Sequence, residues 1–380
     1  MHFDLTDEQK ALRDMVRDFA EKELKPIAAE LDEHHRYPAD VVAKMGELGL
    51  MGVAFPPEYN GAGMDYVSYA IVVEELSYAC AGTGVICSAH SSLACDPINK
   101  FGNEDQKKKY LSRMTTAEWL GCFCLSEPQA GSDASQQHTT AVKKGDKWIL
   151  NGTKNFITNG REAKVAVVFA QTDKEKRHKG ITAYILTPDM PGYSVGQVED
   201  KMGIRASSTV QIVLEDCEVP EANQLGDVGQ GFTIAMTTLD GGRIGIASQA
   251  LGIARRALEE SVAYSKERHA FGAPISRLQA IQWKIADMAT EIDAARLLTH
   301  RAAWMKDNGM RFSQQAAMAK LFASETAMRA TKEGIQVFGG YGYVREYPME
   351  RLFRDAKITE IYEGTSEIQR LVIAAAALKD

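Results

Sequence analysis

The chain has 380 residues, 45% hydrophobic and 25% charged, which is the balance of a soluble globular protein too long for one small core. Its net charge of −7 argues against a nucleic-acid partner, without excluding a local basic groove for a phosphorylated ligand. MHFDLTDEQK has no basic start followed by an apolar run, no stretch reaches the roughly 20 apolar residues of a membrane span, and the six cysteines (Cys80, Cys87, Cys95, Cys122, Cys124, Cys217) are scattered, so a reducing, cytoplasmic setting without membrane span or secretory signal is expected.

Thr6-x-x-Gln9 is a capping box, followed by Leu12, Met15, Val16 and Phe19 at helical spacing; Pro26 marks a kink or boundary. Periodic stretches predict helices from about Val41 to Leu50 and from Tyr66 to Ala79, the second buried, and residues 104–112 read as a charged helix face. From about 120 to 230, β-branched and turn residues dominate. WILNGTKNFITNG reads as apolar runs separated by two Asn-Gly turns. Lys164–Ala170, Ile181–Leu186 and Val210–Leu214 read as strands, and 173–180 and 188–193 as exposed loops. Cys122-x-Cys124 is expected to send its thiols to opposite faces of a strand, which leaves it no metal or redox role. Beyond Gly231, apolar periodicity over 232–265, 275–306 and 312–338 predicts long antiparallel helices. The expected class is α+β: an N-terminal all-α domain (1–120), a small β barrel or sandwich (121–231) and a C-terminal four-helix bundle (232–380).

Chemistry concentrates in a few segments. In DAKITEIYEGTSEIQR (355–370), Glu363 is a lone carboxylate in an apolar setting, where burial would raise its pKa toward that of a general base. The same segment reads equally as a helix start capped by Thr365 or Ser366. FCLSEPQAGSDAS (123–135) places Ser126, Ser132 and Ser135 where hydroxyls could hold a polar ring or phosphate, or simply stabilise a loop. Phe156-Ile157-Thr158 sets an aromatic face beside a hydroxyl. Arg268 in SKERHAFG suits a phosphate or a helix C-terminus. FGGYGY (338–343) allows close backbone approach but follows a helix, so it is not a nucleotide fingerprint; LDGGR (239–243) puts Asp240 and Arg243 near the start of a long helix.

The α-β-α order together with LSEPQAGSD, LNGTKNFITNG, ERHAFG, QVFGGYGY and DAKITEIYEGTSEIQR resembles the acyl-CoA dehydrogenases across residues 1–378, most closely the bacterial short-chain, butyryl-CoA type. The resemblance implies FAD between the β domain and the bundle. Phe123, Leu125, Ser126, Phe156 and Thr158 would lie at the flavin, and Arg268, Phe271 and Gln279 at the pyrophosphate and adenosine. Gln336 and Gly340 would reach FAD from a neighbouring subunit, and Thr365 and Glu367 would lie beside its phosphates. It further implies that Ser132, Asp240 and Arg243 contact CoA, that Tyr362 and Gly364 line the thioester end, and that Glu363 removes the α-proton while the β-hydrogen passes as hydride to flavin N5. Electron-transferring flavoprotein and a homotetramer are the implied partners.

Asp96, where relatives usually carry a neutral residue, reads either as a turn cap before Pro97 or as a second base for 1,4-dehydrogenation of a cyclic enoyl-CoA. Gly84 stands where glutaryl-type relatives carry Arg, and Gly242 where isovaleryl-type relatives place their base. An oxygen-using acyl-CoA oxidase and a non-enzymatic scaffold are the competing readings.

Overall fold

A computed structural model describes residues 4–379. Helix α1 (Asp7–Phe19) starts on the expected box, Thr6 Oγ1 accepting from the Gln9 N–H and Gln9 Oε1 from the Thr6 N–H. Around Pro26, which has no N–H for the helix ladder, the chain tightens and loosens through a π-helical turn (Ala20–Leu24) and a 3-10 turn (Lys25–Ile27). After α2 (Ala39–Glu47), α3 (Tyr66–Ala79) is capped by Asp65 and buried along its whole length. α4 (Ala81–Ser88) runs through a second π-helical stretch (Ala89–Cys95) into α5 (Asp96–Phe101). The charged 104–112 face is helical, again with a π-helical middle at Lys107–Leu111.

The central unit is an eight-stranded sheet: β1 (Gly121–Cys124), β2 (Thr140–Lys144), β3 (Lys147–Thr158), β4 (Val165–Gln171), β5 (Ile181–Leu186), β6 (Tyr193–Val198), β7 (Thr209–Pro220) and β8 (Gln224–Leu225). Its order is β6-β7-β3-β2-β4-β5-β8, with β1 parallel to β4. β2 and β4 share only the pair Thr140↔Gln171, so the sheet folds on itself there and encloses its own core of Trp148, Tyr184, Tyr193 and Cys217.

Two expectations fail here. Asn151-Gly152 is no turn: β3 is a single 12-residue strand, and Gly152 stays within it because Thr139 packs where a Cβ would stand. Only Asn159-Gly160 turns the chain, with Asn159 at φ 65°. Cys122 and Cys124 do not face opposite ways. Residues two apart share a strand face, and their sulfurs lie 3.7 Å apart in the sheet core. Its hydrogen bond with Cys124, and then burial, push the Cys122 thiol up, so Cys122 stays protonated.

From Gly231 the chain is helical again: α6 (Gly231–Glu267), α7 (Gln279–Asp307), α8 (Ser313–Phe338), α9 (Met349–Ile358) and α10 (Ser366–Ala377). α6, α7 and α8 pack as a bundle whose fourth side is the broken α9–α10 pair, and α3 packs against α6 from the N-terminal unit. One apolar core runs through both helical units, including Leu76, Ile246, Leu251 and Ala323, and a second joins helices to the sheet through Phe169, Ile185 and Ile234. The Asp240–Arg243 segment lies within α6, well past its start, because Gly241 and Gly242 continue the helix with buried backbone. No helix among the described residues is long and apolar enough to cross a membrane.

Candidate active site

The segment after α9 has an unusual backbone. Glu363 and Gly364 are consecutive left-handed residues, with φ of 54° and 92°. Glycine adopts such a φ freely; a glutamate there costs on the order of 1–2 kcal/mol and must be held by its surroundings. The holders are side chains. Gln369 Nε2 donates to the carbonyls of Glu363 (3.1 Å) and Gly364 (2.8 Å), and Lys320 Nζ donates to the Gly364 carbonyl (2.7 Å). Thr365 then caps α10 through the Ile368 N–H, so the expected helix start directly follows the Glu363–Gly364 turn. Tyr362 donates to Gln249, which donates in turn to the Ala81 carbonyl at 2.9 Å, fixing the loop to α6 and α4.

This scaffold carries a carboxylate with a buried oxygen that no donor reaches. Glu363 Oε2 is buried and has no hydrogen-bond partner among the described residues. Burial pushes Glu363 from its usual range up to about 8, with Lys320 and Arg243 pulling the other way. Gly242 makes the position possible, since a Cβ there would overlap Glu363 Oε2 and crowd Leu93. Arg243 pairs with Asp240 at 2.5 Å, and Asp240 also accepts from Ser313.

Asp96 lies close by on another helix. It is no turn cap: it is the first residue of α5, buried, beside Lys100 (2.9 Å) and Lys306 (3.4 Å). Lys100 sits within ion-pair distance of Oδ2 yet outside hydrogen-bond alignment, so that oxygen keeps no hydrogen-bond partner. The position of a Cβ on Gly241 would be 2.9 Å from Lys306 Nζ and 3.7 Å from Asp96 Oδ2. Asp96 and Glu363 therefore flank neighbouring residues of α6.

A second cluster fits a large planar cofactor. At the bulge in β3, where pairing with β7 shifts between Lys154 and Ile157, Phe156 takes φ 59° and stays 64% exposed. An aromatic side chain held at such a φ and turned outward offers its ring to something flat. The Asn155 N–H donates to the Ser126 carbonyl (2.8 Å), which brings the 125–126 turn against the bulge, while buried Asn155 Oδ1 has no partner. Thr158 pairs with Thr209 at the end of the same strand, and Phe123 packs edge-on against Phe169 (4.9 Å). The turn is anchored by a pair that sequence reasoning missed: buried Lys154 donates to Glu127 (2.7 Å), which also accepts the N–H groups of His138 (2.6 Å) and Thr139 (3.1 Å). These residues, with the orphaned Asn155 oxygen and the exposed ring, fit an isoalloxazine.

Most of the remaining cofactor candidates lie at one end of the bundle. Arg268 ends α6 and shares a 480 Å³ cavity with Gly340, Phe338 and Tyr341. Phe271, at φ 52°, is 95% exposed on the following hairpin, and Gln279 opens α7 in solvent. Gln336 is exposed beside this cavity rather than within it, and Glu367 faces solvent in the first turn of α10. Ser132 is exposed on the 126–139 loop, without a hydrogen bond to the Asp240–Arg243 pair. A larger cavity, 660 Å³ between α1, α3, α6 and α7, is lined by charges that pair with one another, Arg255 with Glu75 (2.6 Å) and Arg296 with Glu74 (2.9 Å), and holds none of these groups.

Lys320, Gln369 and Gln249 were also missed from sequence. The one legible signal was Lys320, a cation inside the apolar run AAMAKLFA.

Comparison with known proteins agrees with this geometry. Family models described as the acyl-CoA dehydrogenase N-terminal, middle and C-terminal domains match residues 6–118, 122–217 and 229–378. The chain is similar to the short-chain specific acyl-CoA dehydrogenase of Clostridium acetobutylicum, 54% identical over 98% of this chain and 99% of the relative. It superposes on butyryl-CoA dehydrogenase of Megasphaera elsdenii with a TM-score of 0.98 at 48% identity over 100% of both chains. It also superposes on a chain in the structure described as "Electron transferring flavoprotein of Acidaminococcus fermentans: Towards a mechanism of flavin-based electron bifurcation", with a TM-score of 0.99 at 54% identity over 100% of both. The chain belongs to the acyl-CoA dehydrogenase family and is a flavin-dependent oxidoreductase with FAD as its cofactor.

Proposed function

We propose that the enzyme dehydrogenates short-chain, butyryl-type acyl-CoA thioesters at the α,β bond, with Glu363 as the base. The observation that carries this reading is the unpartnered Glu363 carboxylate on a doubly left-handed turn, with a pKa near 8. A carboxylate deprived of donors is a stronger base than one in water, and a base near the working pH transfers protons most effectively. Gln369 and Lys320 hold the turn by its Glu363 and Gly364 carbonyls, and the Glu363 N–H would donate to the thioester carbonyl, where charge develops as the α-proton leaves. When bound, FAD supplies the acceptor for the β-hydrogen as hydride. Phe156 and Ser126 would orient its ring, Thr158 and Leu125 its edge, and Arg268 with Phe271 and Gln279 its pyrophosphate and adenosine. Thr365 and Glu367 would border the phosphates. Asp240 and Arg243, with Ser132, would meet the CoA moiety, and Tyr362 and Gly364 the thioester. Electron-transferring flavoprotein is the proposed electron acceptor.

A homotetramer is supported by the exposed Trp283, Leu297 and Trp304 on α7, and in it Gln336 and Gly340 would reach a neighbour's FAD. A cytoplasmic setting is supported by the six unpaired thiols.

One observation favours a second reading: Asp96 is a buried carboxylate beside the helix residue next to Gly242. Lys100 and Lys306 pair with its charge, so we infer a charge-paired role and one base for α,β-dehydrogenation. The test is turnover of butyryl-, hexanoyl-, cyclohexanoyl- and cyclohexenoyl-thioesters with an artificial acceptor and, separately, with oxygen. Butyryl turnover that is lost in Glu363→Gln and kept in Asp96→Asn supports the first reading. Loss of only the cyclohexenoyl reaction in Asp96→Asn assigns Asp96 as second base, and efficient oxygen consumption assigns an oxidase.

A further inference from the structure

Lys320 sits in the middle of α8, fully buried among Ala316, Ala317, Ala319 and Ala323. Its ammonium has one hydrogen bond, to the Gly364 carbonyl at 2.7 Å, and no carboxylate in contact. A lone carbonyl does not offset the desolvation of an ammonium, so the position needs a reason. The compensation comes from the charge on Glu363, the residue before the one Lys320 grips. Lys320 therefore touches the active loop twice in effect, once mechanically through Gly364 and once through the field at Glu363.

We propose that Lys320 is a positioning residue for the proton abstraction: it pins the left-handed Glu363–Gly364 turn from α8 and supplies the positive charge that keeps Glu363 ionisable inside the site. The proposal rests on Glu363 being the base. Its geometry is independent of that assignment, since the φ values of 54° and 92° are held by Lys320 together with Gln369 whatever the carboxylate does.

The charges around the pair are these. Facing Glu363 are Lys320 from α8, Arg243 from α6, Tyr66 and Tyr69 from α3, and Tyr362 on its own loop. Facing Lys320 are Glu363, Arg243, Glu360 and Glu367. Arg243 is already committed to Asp240 at 2.5 Å, and the tyrosines are neutral because burial pushes their hydroxyls up. Lys320 is thus the cation in this group with no carboxylate contact of its own. Burial pushes it down to about 8, with Glu363 opposing, so it titrates in the same range as the base it supports.

The test uses the FAD-loaded full-length enzyme with butyryl thioester, comparing wild type, Lys320→Gln, Lys320→Arg and Glu363→Gln. Lys320→Gln keeps a donor for Gly364 but removes the charge. The acid limb of kcat/KM should move up by roughly one pH unit, which is about tenfold at neutral pH. KM should stay within about twofold, because Lys320 meets no substrate. Lys320→Arg keeps a charge that does not titrate, so its limb should lie at or below that of wild type. An infrared titration of the carboxyl band that disappears in Glu363→Gln should report the same shifts without turnover. An unmoved limb in folded Lys320→Gln overturns the proposal. Should that variant not fold, a limb raised in Lys320→Arg overturns it instead. Turnover retained in Glu363→Gln marks failure of the base assignment itself, and with it of this inference, whereas an unmoved limb with Glu363→Gln inactive marks failure of Lys320 alone.

Discussion

The protein buries two glutamate–lysine pairs, one in the β unit and one in the bundle, and treats them in opposite ways. Glu127 and Lys154 are in contact at 2.7 Å, and Glu127 also accepts two backbone N–H groups. Burial works to raise the Glu127 pKa, but Lys154 and these donors outweigh it and hold the carboxyl below its usual range. Glu363 and Lys320 are near each other without contact, Glu363 Oε2 has no donor, and burial wins. The same two residue types thus give a rivet in one place and a base in the other. What separates them is the direct lysine contact and the hydrogen bonds that reach the Glu127 carboxylate and not that of Glu363.

The largest expected contrast is catalytic. Glu363→Gln should lower kcat by roughly 10²–10⁴-fold with FAD content unchanged, measured by acceptor reduction. Glu127→Gln should leave the intrinsic proton transfer intact and act on folding instead. Next is stability. Lys154→Met strands a buried carboxylate and should cost about 3–5 kcal/mol in denaturant unfolding, whereas replacing both partners by apolar residues should cost much less.

Smaller in effect is the pH dependence of stability, where the two carboxylates should have opposite signs. The folded pKa of Glu363 lies above its ordinary 4.5, so its contribution is fully present below that value and is lost as pH rises through about 8. Wild type should therefore lose stability relative to Glu363→Gln on going from acid to alkaline buffer. Glu127, held low, contributes above its ordinary 4.5 and loses that contribution as pH falls, so wild type should lose stability relative to Glu127→Gln on acidification. The smallest effect is at Gly364. Alanine there must adopt φ near 92°, which should cost about 1–2 kcal/mol and lower kcat while thioester binding persists.

The contrast between the pairs also explains what could be read from sequence. Glu363 was legible because its neighbours are apolar and glycine follows it; the three-part α-β-α order was legible from the change in periodicity near 120 and 231. Lys154 was hidden because it lies in the polar run Thr153-Lys154-Asn155 of a strand that itself was mistaken for a hairpin at Asn151-Gly152, where the close approach of Thr139 rather than a turn requires the glycine. Lys320 stood out only as a cation in an apolar run, and its role, like that of Gln369, was hidden because it depends on which carbonyls a left-handed turn presents, which tertiary contacts decide. Of the two readings of Asp96, the cap rested on Asp-Pro usually beginning a turn and fails because a π-helical stretch carries the chain straight into α5. The cysteine pair was misjudged by a simple count, since positions two apart share a face.

The measurement that bears most directly on Glu363 as the base is the pH dependence of kcat/KM for a butyryl thioester in the free, FAD-loaded enzyme. The account predicts a rate that rises with pH on a single limb with an apparent pKa near 8, and no such limb in Glu363→Gln. A limb near the ordinary carboxylate value of 4.5, or one that survives in Glu363→Gln, would contradict it.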